Sequence, residues 1–94
     1  DSAVKEGNSG VMANGSRFDE SKLTCASWDF SLGTPLKVCN QRNAKCVKTV
    51  VTDRGPNRTL YQQGRIVDLS RASFRTISPL GVGVIPVTVE ELAK

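Results

Sequence analysis

The alternation of apolar and polar residues along the chain predicts a series of short strands. Thr34 to Cys39 alternates, and Lys45 to Thr52 is rich in valine. The polar turn at Asn40 to Ala44 joins these two segments, so together they predict a hairpin. Two further strands are predicted at Arg65 to Leu69 and at Val84 to Val89, where Pro86 stands at a position that cannot donate to a ladder.

The segments between these strands carry weaker patterns. Residues 1 to 16 are polar and rich in glycine, which predicts a loop or a poorly ordered terminus. Leu23 to Phe30 is mixed and predicts a short strand or a turn. Asn57 to Gln63 is polar and predicts a loop.

Arg71 to Ile77 predicts a short helix, because its apolar residues recur at near-helical spacing. Either Ser70 or Asp68 can cap its N-terminus, and the dipole of the helix favours the carboxylate there. The Pro79 and Gly81 that follow end the helix. Several short strands, one short helix and glycine-rich turns are typical of a small β-barrel.

Composition limits the chain to one small domain. It has 94 residues and a mass of 10.1 kDa, so we expect a flexible segment at 1–10 and one domain over 11–94. Aromatic residues make up only 5%, so valine, leucine and isoleucine must build the core. No stretch is long and apolar enough to span a membrane.

The net charge of +4 favours an acidic polymer such as cell-wall glycan, although solvated lysines are the commoner explanation. Basic residues do not cluster on a helix and aromatics hardly interleave with them, which argues against nucleic-acid binding. Asp1 is a reasonable mature start after removal of a signal peptide, so we expect a secreted, periplasmic or envelope protein.

The absence of histidine removes the usual general base of serine and cysteine hydrolases. The three cysteines stand at no metal-ligand spacing, so neither a metal nor another cofactor is expected. Cys39 and Cys46 lie at the two ends of the predicted hairpin turn, where a cross-strand disulfide or two free thiols are the alternatives. Cys25 is then left over, either as a buried small hydrophobe or as the partner of a segment outside this sequence.

The turn Asp53-Arg54-Gly55-Pro56 carries the main catalytic candidate. Asp53 follows an apolar strand, and partial burial in a groove would raise its pKa towards that of a general acid. The alternative is a structural aspartate that binds backbone amides, with Arg54 holding it ionised. Asp68 is interpreted as a helix cap.

Two aromatic side chains are candidates for stacking on sugar rings. Trp28 stands between Ser27 and Asp29, and its alternative role is core packing. Tyr61 lies in the loop after Asp53 and can line a groove rim. Four basic residues are candidates for contacting carboxylates of a ligand, although the default interpretation is that they are scattered, solvated surface residues. They are Arg17, Lys48, Arg54 and Arg65.

The ordered set of motifs resembles a known family. The matching segments run in order from residue 11 to residue 91: Ala13-Asn14-Gly15, Arg17-Phe18-Asp19, Leu23-Thr24-Cys25-Ala26-Ser27, Leu32-Gly33-Thr34-Pro35-Leu36-Lys37-Val38, Val51-Thr52-Asp53-Arg54-Gly55-Pro56, Gly64-Arg65-Ile66-Val67-Asp68-Leu69-Ser70 and Gly83-Val84-Ile85-Pro86-Val87-Thr88-Val89. The chain resembles the double-psi β-barrel domain of rare lipoprotein A, whose relatives include expansin and barwin-like domains.

The resemblance implies an all-β fold, a six-stranded barrel with two crossed psi loops. In many bacterial members it implies a lytic transglycosylase that cleaves peptidoglycan between N-acetylmuramic acid and N-acetylglucosamine. By resemblance Asp53 lies in the glycan groove, and the matching motifs make Asn14 and Ser27 candidates for substrate binding.

The chain departs from the family pattern in three places. Ser16 and Ser27 stand where active members usually carry a glutamate and a histidine, and serine is no proton donor near neutral pH. Asp19 and Asp29 are nearby carboxylates that can serve instead. The family's usual opening strand is also missing from the motif set, so the first strand is expected to be absent or atypical.

Three functions follow as hypotheses. The first is a peptidoglycan lytic transglycosylase, and the second is a glycan-binding or expansin-like module that does not cleave. The third is a structural, cell-wall-facing domain of a larger assembly such as a phage virion. The expected partner is peptidoglycan or another cell-wall glycan, and the domain is expected to belong to a longer chain or a larger assembly.

Overall fold

The computed structural model describes residues 2–5 and 11–92, with six strands, two short α-helices and a 3-10 turn. In chain order these are β1 (Ser2–Lys5), β2 (Thr24–Ser27), β3 (Pro35–Asn40), β4 (Cys46–Asp53), α1 (Arg58–Gln62), β5 (Arg65–Leu69), α2 (Arg71–Ile77), the 3-10 turn (Leu80–Val82) and β6 (Val84–Glu91). In the described part of the chain, no helix has the length and apolar character needed to cross a membrane.

The six strands close into a barrel in the order β1-β5-β2-β4-β3-β6. β1 runs parallel to β5 and β2 runs parallel to β4, while the other neighbours are antiparallel. Closure gives each strand two partners, so no sheet edge is left unpaired among them. The predicted six-stranded β-barrel is confirmed.

The first strand comes from residues that the sequence predicts as loop. Ser2–Lys5 pairs with β5 on one side and with β6 on the other, and this closes the barrel. The loop prediction is therefore wrong for these four residues. Residue 1 and residues 6–10 lie outside the described part of the chain.

The prediction of a polar loop at Asn57 to Gln63 is also wrong, because this segment contains helix α1. The side chain of Asn57 caps this helix by accepting the Thr59 N–H at 2.9 Å. A five-residue helix with no buried residue leaves no apolar periodicity in the sequence. Gly64 follows with φ +94°, a backbone conformation that favours glycine, and leads into β5.

Alternate residues of the strands point inward and form one hydrophobic core. α2 packs against this core with Phe74 and Ile77, both fully buried. The remaining core residues are mostly aliphatic, as the composition predicts: Cys25, Leu36, Val38, Val47, Val51, Val67, Leu69, Ile85 and Val87. Cys25 thus has the environment of a buried small hydrophobe.

Ser70, and not Asp68, caps helix α2. The Ser70 hydroxyl oxygen accepts the Ser73 N–H at 3.2 Å, and it also lies 2.6 Å from the Lys22 carbonyl oxygen. The capping role predicted for Asp68 is therefore wrong, since Asp68 lies within β5, two residues before the capping position. Its carboxyl group is left for another role.

Cys39 and Cys46 form the predicted cross-strand disulfide. They face each other in the β3–β4 register, and the bond closes the hairpin at its turn. The bridge constrains the unfolded chain, which is the usual origin of disulfide stabilisation.

We expect the C39S/C46S double variant to be less stable than the oxidised protein by about 2 kcal/mol, because the bridge closes a short loop. Urea unfolding measured without reductant gives the free-energy difference. Adding dithiothreitol should lower the midpoint of the wild type and leave that of the variant unchanged. Equal midpoints for the two proteins without reductant would show that the bridge does not stabilise the fold.

Candidate active site

The short strand β2 lies between β4 and β5 and has one acidic residue beside it on each of these two strands. Ala26 is in register with Asp53 of β4 and with Asp68 of β5. Neighbouring strands are separated by about 4.8 Å, so the two aspartate backbones lie roughly 10 Å apart. Two carboxyl groups on one face of three adjacent strands form the centre of the candidate site.

Asp53 has a structural role through one of its carboxylate oxygens. Oδ1 accepts the Ala13 N–H at 2.9 Å and the Arg54 N–H at 2.8 Å. A backbone bond from Asn14 to Thr52 lies beside them, so the loop formed by residues 11–17 is held against the end of β4. No described residue donates a hydrogen bond to Oδ2.

Asp68 lies beneath the turn that follows Asp53. Val67 and Leu69 point into the core, so Asp68 between them points to the outer face of the barrel. A Cβ atom placed on Gly55 would stand 3.3 Å from Asp68 Oδ2 and 3.2 Å from the Ala26 Cβ. Glycine at position 55 therefore allows the turn to cover the Asp68 carboxyl group closely.

The environment of Asp68 favours its protonated form. Its Oδ1 is buried and has no hydrogen-bond partner among the described residues. Burial is the main reason that the pKa of Asp68 is raised, to about 6 overall; Arg65 acts in the opposite direction, and the negative charge of Asp53 contributes a smaller rise. Of the predicted site residues, Arg65 is thus placed close enough to influence the acid pair.

The guanidinium group of Arg54 binds two backbone carbonyl groups and not the Asp53 carboxylate. Its Nη1 donates to the Ser27 carbonyl at 3.0 Å and to the Phe30 carbonyl at 2.6 Å. Arg54 therefore fastens the loop after β2 to the turn after β4. The proposed ion pair that would hold Asp53 ionised is absent from this structure.

The predicted aromatic residues form one wall beside this turn. The Trp28 Nε1–H donates to the Pro56 carbonyl at 2.6 Å, and the Tyr61 hydroxyl donates to Asp29 Oδ1 at 2.5 Å. The hydrogen bond to Asp29 is the main reason that the pKa of Tyr61 is raised. Arg58 lies over the Trp28 ring, with its guanidinium carbon 4.3 Å from the ring centroid.

The serines at the two departures from the family pattern are used structurally. Ser27 is 1% exposed, and its hydroxyl accepts the Asp29 N–H at 3.1 Å. Ser16 donates its hydroxyl to Asn14 Oδ1 at 2.7 Å, so the oxygen of the Asn14 side chain serves its own turn. Asp19 is likewise engaged locally, by the N–H and the hydroxyl of Ser21.

Sequence reasoning missed two residues of this region, Asp68 and Arg58. The strand pattern Val67-Asp68-Leu69 holds the signal for Asp68, since alternation places it on the face opposite the core. The helix-start pattern at Asp68-Leu69-Ser70 favoured a cap instead. No metal site accompanies the acids, because no cluster of three potential ligand residues occurs within residues 2–5 and 11–92.

Comparison with known proteins assigns the chain to a family. A family model described as lytic transglycolase, a double-psi β-barrel, matches residues 5–89. The chain belongs to this family. Among curated relatives it is 37% identical over 82 residues to the probable endolytic peptidoglycan transglycosylase RlpA of Nostoc sp., covering 87% of the chain and 21% of that protein.

Other relatives carry the same description. The chain is 38% identical over 86 residues to the endolytic peptidoglycan transglycosylase RlpA of Pasteurella multocida, covering 92% of the chain and 28% of that protein. It thus spans less than a third of either relative. Among solved structures, the Streptomyces papain inhibitor has a TM-score of 0.76 at 23% identity, covering 98% of the chain and 91% of that protein, and it shares the fold.

We expect Asp68→Asn to stabilise the fold at pH 7. The folded state holds the Asp68 proton up to about pH 6, against 3.8 ordinarily, so the contribution of this group to stability is lost as pH rises from about 4 to about 6. Removing the charge should gain on the order of 1 kcal/mol at pH 7, after a discount for solvent screening, and nothing at pH 4. Urea unfolding across this pH range measures the difference.

Asp19→Asn is the matched control with the opposite sign. Hydrogen bonds from Ser21 lower the pKa of Asp19, so its contribution is present above its ordinary pKa and is lost on acidification. A loss of stability at pH 7 in Asp68→Asn, of the kind expected for Asp19→Asn, would contradict the assigned environment of Asp68.

Proposed function

We propose that this domain cleaves peptidoglycan strands between N-acetylmuramic acid and N-acetylglucosamine by lytic transglycosylation. Asp68 acts as the general acid and Asp53 as the general base. The observation that carries the proposal is the pair of carboxyl groups flanking Ala26, one of them half-buried with an unpartnered oxygen. The family and the names of the relatives support the choice of substrate and reaction.

The reaction needs one proton donor and one proton acceptor. The donor protonates the bridging oxygen as the bond from C1 of the muramic acid to that oxygen breaks. The acceptor takes the proton of the muramic acid C6 hydroxyl as its oxygen bonds to C1 and closes the anhydro ring. Solvent then returns the proton from Asp53 to Asp68.

The two aspartates suit different halves of this chemistry. A carboxyl group with a pKa of about 6 is protonated in a useful fraction of molecules at mildly acid pH, which suits Asp68 to donation. Asp53 is oriented by two backbone N–H bonds on Oδ1, while Oδ2 accepts no hydrogen bond from the described residues and can accept a proton.

A second candidate function is glycan binding without cleavage. It is favoured by Ser16 and Ser27, which stand where the family resemblance expects an acid and a histidine and which are occupied by local hydrogen bonds. In that case the acid pair would serve only to position the turn and the loop of residues 11–17. The assay below separates the two functions.

We further propose that the domain works in the cell envelope or outside the cell. Peptidoglycan lies there, and the Cys39–Cys46 disulfide is typical of an oxidising compartment. Fractionation of cells that produce the full-length protein tests this location.

We expect the wild-type domain to release anhydromuramic acid products from purified peptidoglycan strands, detected by mass spectrometry. Asp68→Asn should lower the rate at least about 100-fold, the usual contribution of general acid catalysis. Asp53→Asn should lower it similarly while preserving the fold, since the amide oxygen can still accept the N–H bonds of Ala13 and Arg54. The wild-type rate should fall as pH rises above about 6.

Asp19→Asn is the matched control and should keep the wild-type rate, because its carboxylate serves only its own turn. Unchanged product release by Asp68→Asn would overturn the assignment of the acid. If no protein releases product while the wild type still sediments with glycan strands, the binding module is the correct function.

A further inference from the structure

We propose that Arg58, stacked on Trp28, binds a carboxylate carried by the glycan strand. The inference rests on the proposed peptidoglycan substrate and deepens it by naming the group that the site recognises. It starts from the contact between the Arg58 guanidinium and the indole ring, 4.3 Å from guanidinium carbon to ring centroid.

The indole provides a fixed platform for the cation. Trp28 is half-buried and its Nε1–H is bonded to the Pro56 carbonyl at 2.6 Å. A guanidinium group that lies over an aromatic face keeps its N–H donors in its own plane, where they match the two oxygens of a carboxylate. The platform therefore holds Arg58 in one orientation before a ligand arrives, which reduces the entropy cost of binding.

The Trp28 ring is the partner that the structure gives to the Arg58 guanidinium. Among residues 11–92, no ion pair or hydrogen bond engages its N–H donors. Asp29, the acid that follows Trp28 in sequence, accepts the Tyr61 hydroxyl at 2.5 Å through one of its oxygens. Arg58 therefore differs from Arg54, whose guanidinium is committed to two carbonyl groups of the loop after β2.

The position of Arg58 connects it to the acid pair. Pro56, which holds the Trp28 ring, adjoins Gly55, and the Asp68 carboxyl group lies directly under Gly55. A strand that lies across Asp53 and Asp68 consequently passes the Trp28–Arg58 wall. Arg58 is exposed and so can reach a group on that strand.

Two carboxylates of peptidoglycan fit this chemistry. One is the lactyl carboxylate of muramic acid, which is free on strands without peptides and is bonded to the peptide on others. The other is a carboxylate of the peptide itself. Neutral chitin oligosaccharides have the same sugar backbone and carry neither group.

The test compares binding of three ligands by calorimetry: peptide-free glycan strands, peptide-bearing strands and chitin oligosaccharides of matched length. The proteins carry Asp68→Asn so that no strand is cut during the measurement. We expect Arg58→Gln to weaken binding to carboxylate-bearing strands about 10-fold, the effect of losing one charge-assisted hydrogen-bonded pair. Its binding to chitin should not change, and Arg58→Lys should recover only part of the loss.

Arg75→Gln is the matched control, because Arg75 is also an exposed helical arginine and its loss changes the net charge equally. A loss confined to peptide-free strands identifies the lactyl carboxylate, and a loss confined to peptide-bearing strands identifies the peptide carboxylate. Unchanged binding in Arg58→Gln, equal losses for chitin and glycan, or an equal loss in Arg75→Gln would each overturn the proposal. Because binding is measured without cleavage, failure of the catalytic proposal alone leaves this result intact.

Discussion

The site depends on the double register of the short strand β2. Its central residue, Ala26, pairs with Asp53 in parallel β4 and with Asp68 in antiparallel β5. Asp53 and Asp68 are 15 positions apart in sequence. They lie on either side of β2 because the barrel places β2 between β4 and β5. The small side chain of Ala26 leaves room for the turn at Gly55 to fold over it.

The turn of residues 53–56 holds two neighbouring loops in place and also forms part of the candidate site. One oxygen of Asp53 anchors the loop of residues 11–17, and Arg54 anchors the loop after β2. The same turn covers Asp68 and fixes the indole of Trp28. Asp53 therefore has the structural role that the sequence offered as one alternative, through Oδ1, and the catalytic role proposed for it requires only Oδ2.

Much of the barrel could be predicted because its central strands have strong local signals. Four of the six strands could be predicted from sequence: the two strands of the valine-rich hairpin, the strand at Arg65 to Leu69 and the strand at Val84 to Val89. The position of the two cysteines at the ends of the hairpin turn predicts the disulfide. β1 has only four residues, and distant strands on both sides define it, so local pattern does not reveal it. Asp68 was missed for a related reason, since its environment comes from Gly55 and Asp53 and not from its neighbours in sequence.

The site requires that the negative charge of Asp53 act on the Asp68 carboxyl group across strand β2. NMR titration of the Asp68 carboxyl carbon in the wild type and in Asp53→Asn measures this effect. We expect a pKa of about 6 for Asp68 in the wild type and a lower pKa in the variant, because the Asp53 charge contributes to the elevation. A wild-type pKa near the ordinary value of 3.8, or one that does not respond to Asp53→Asn, would contradict this expectation.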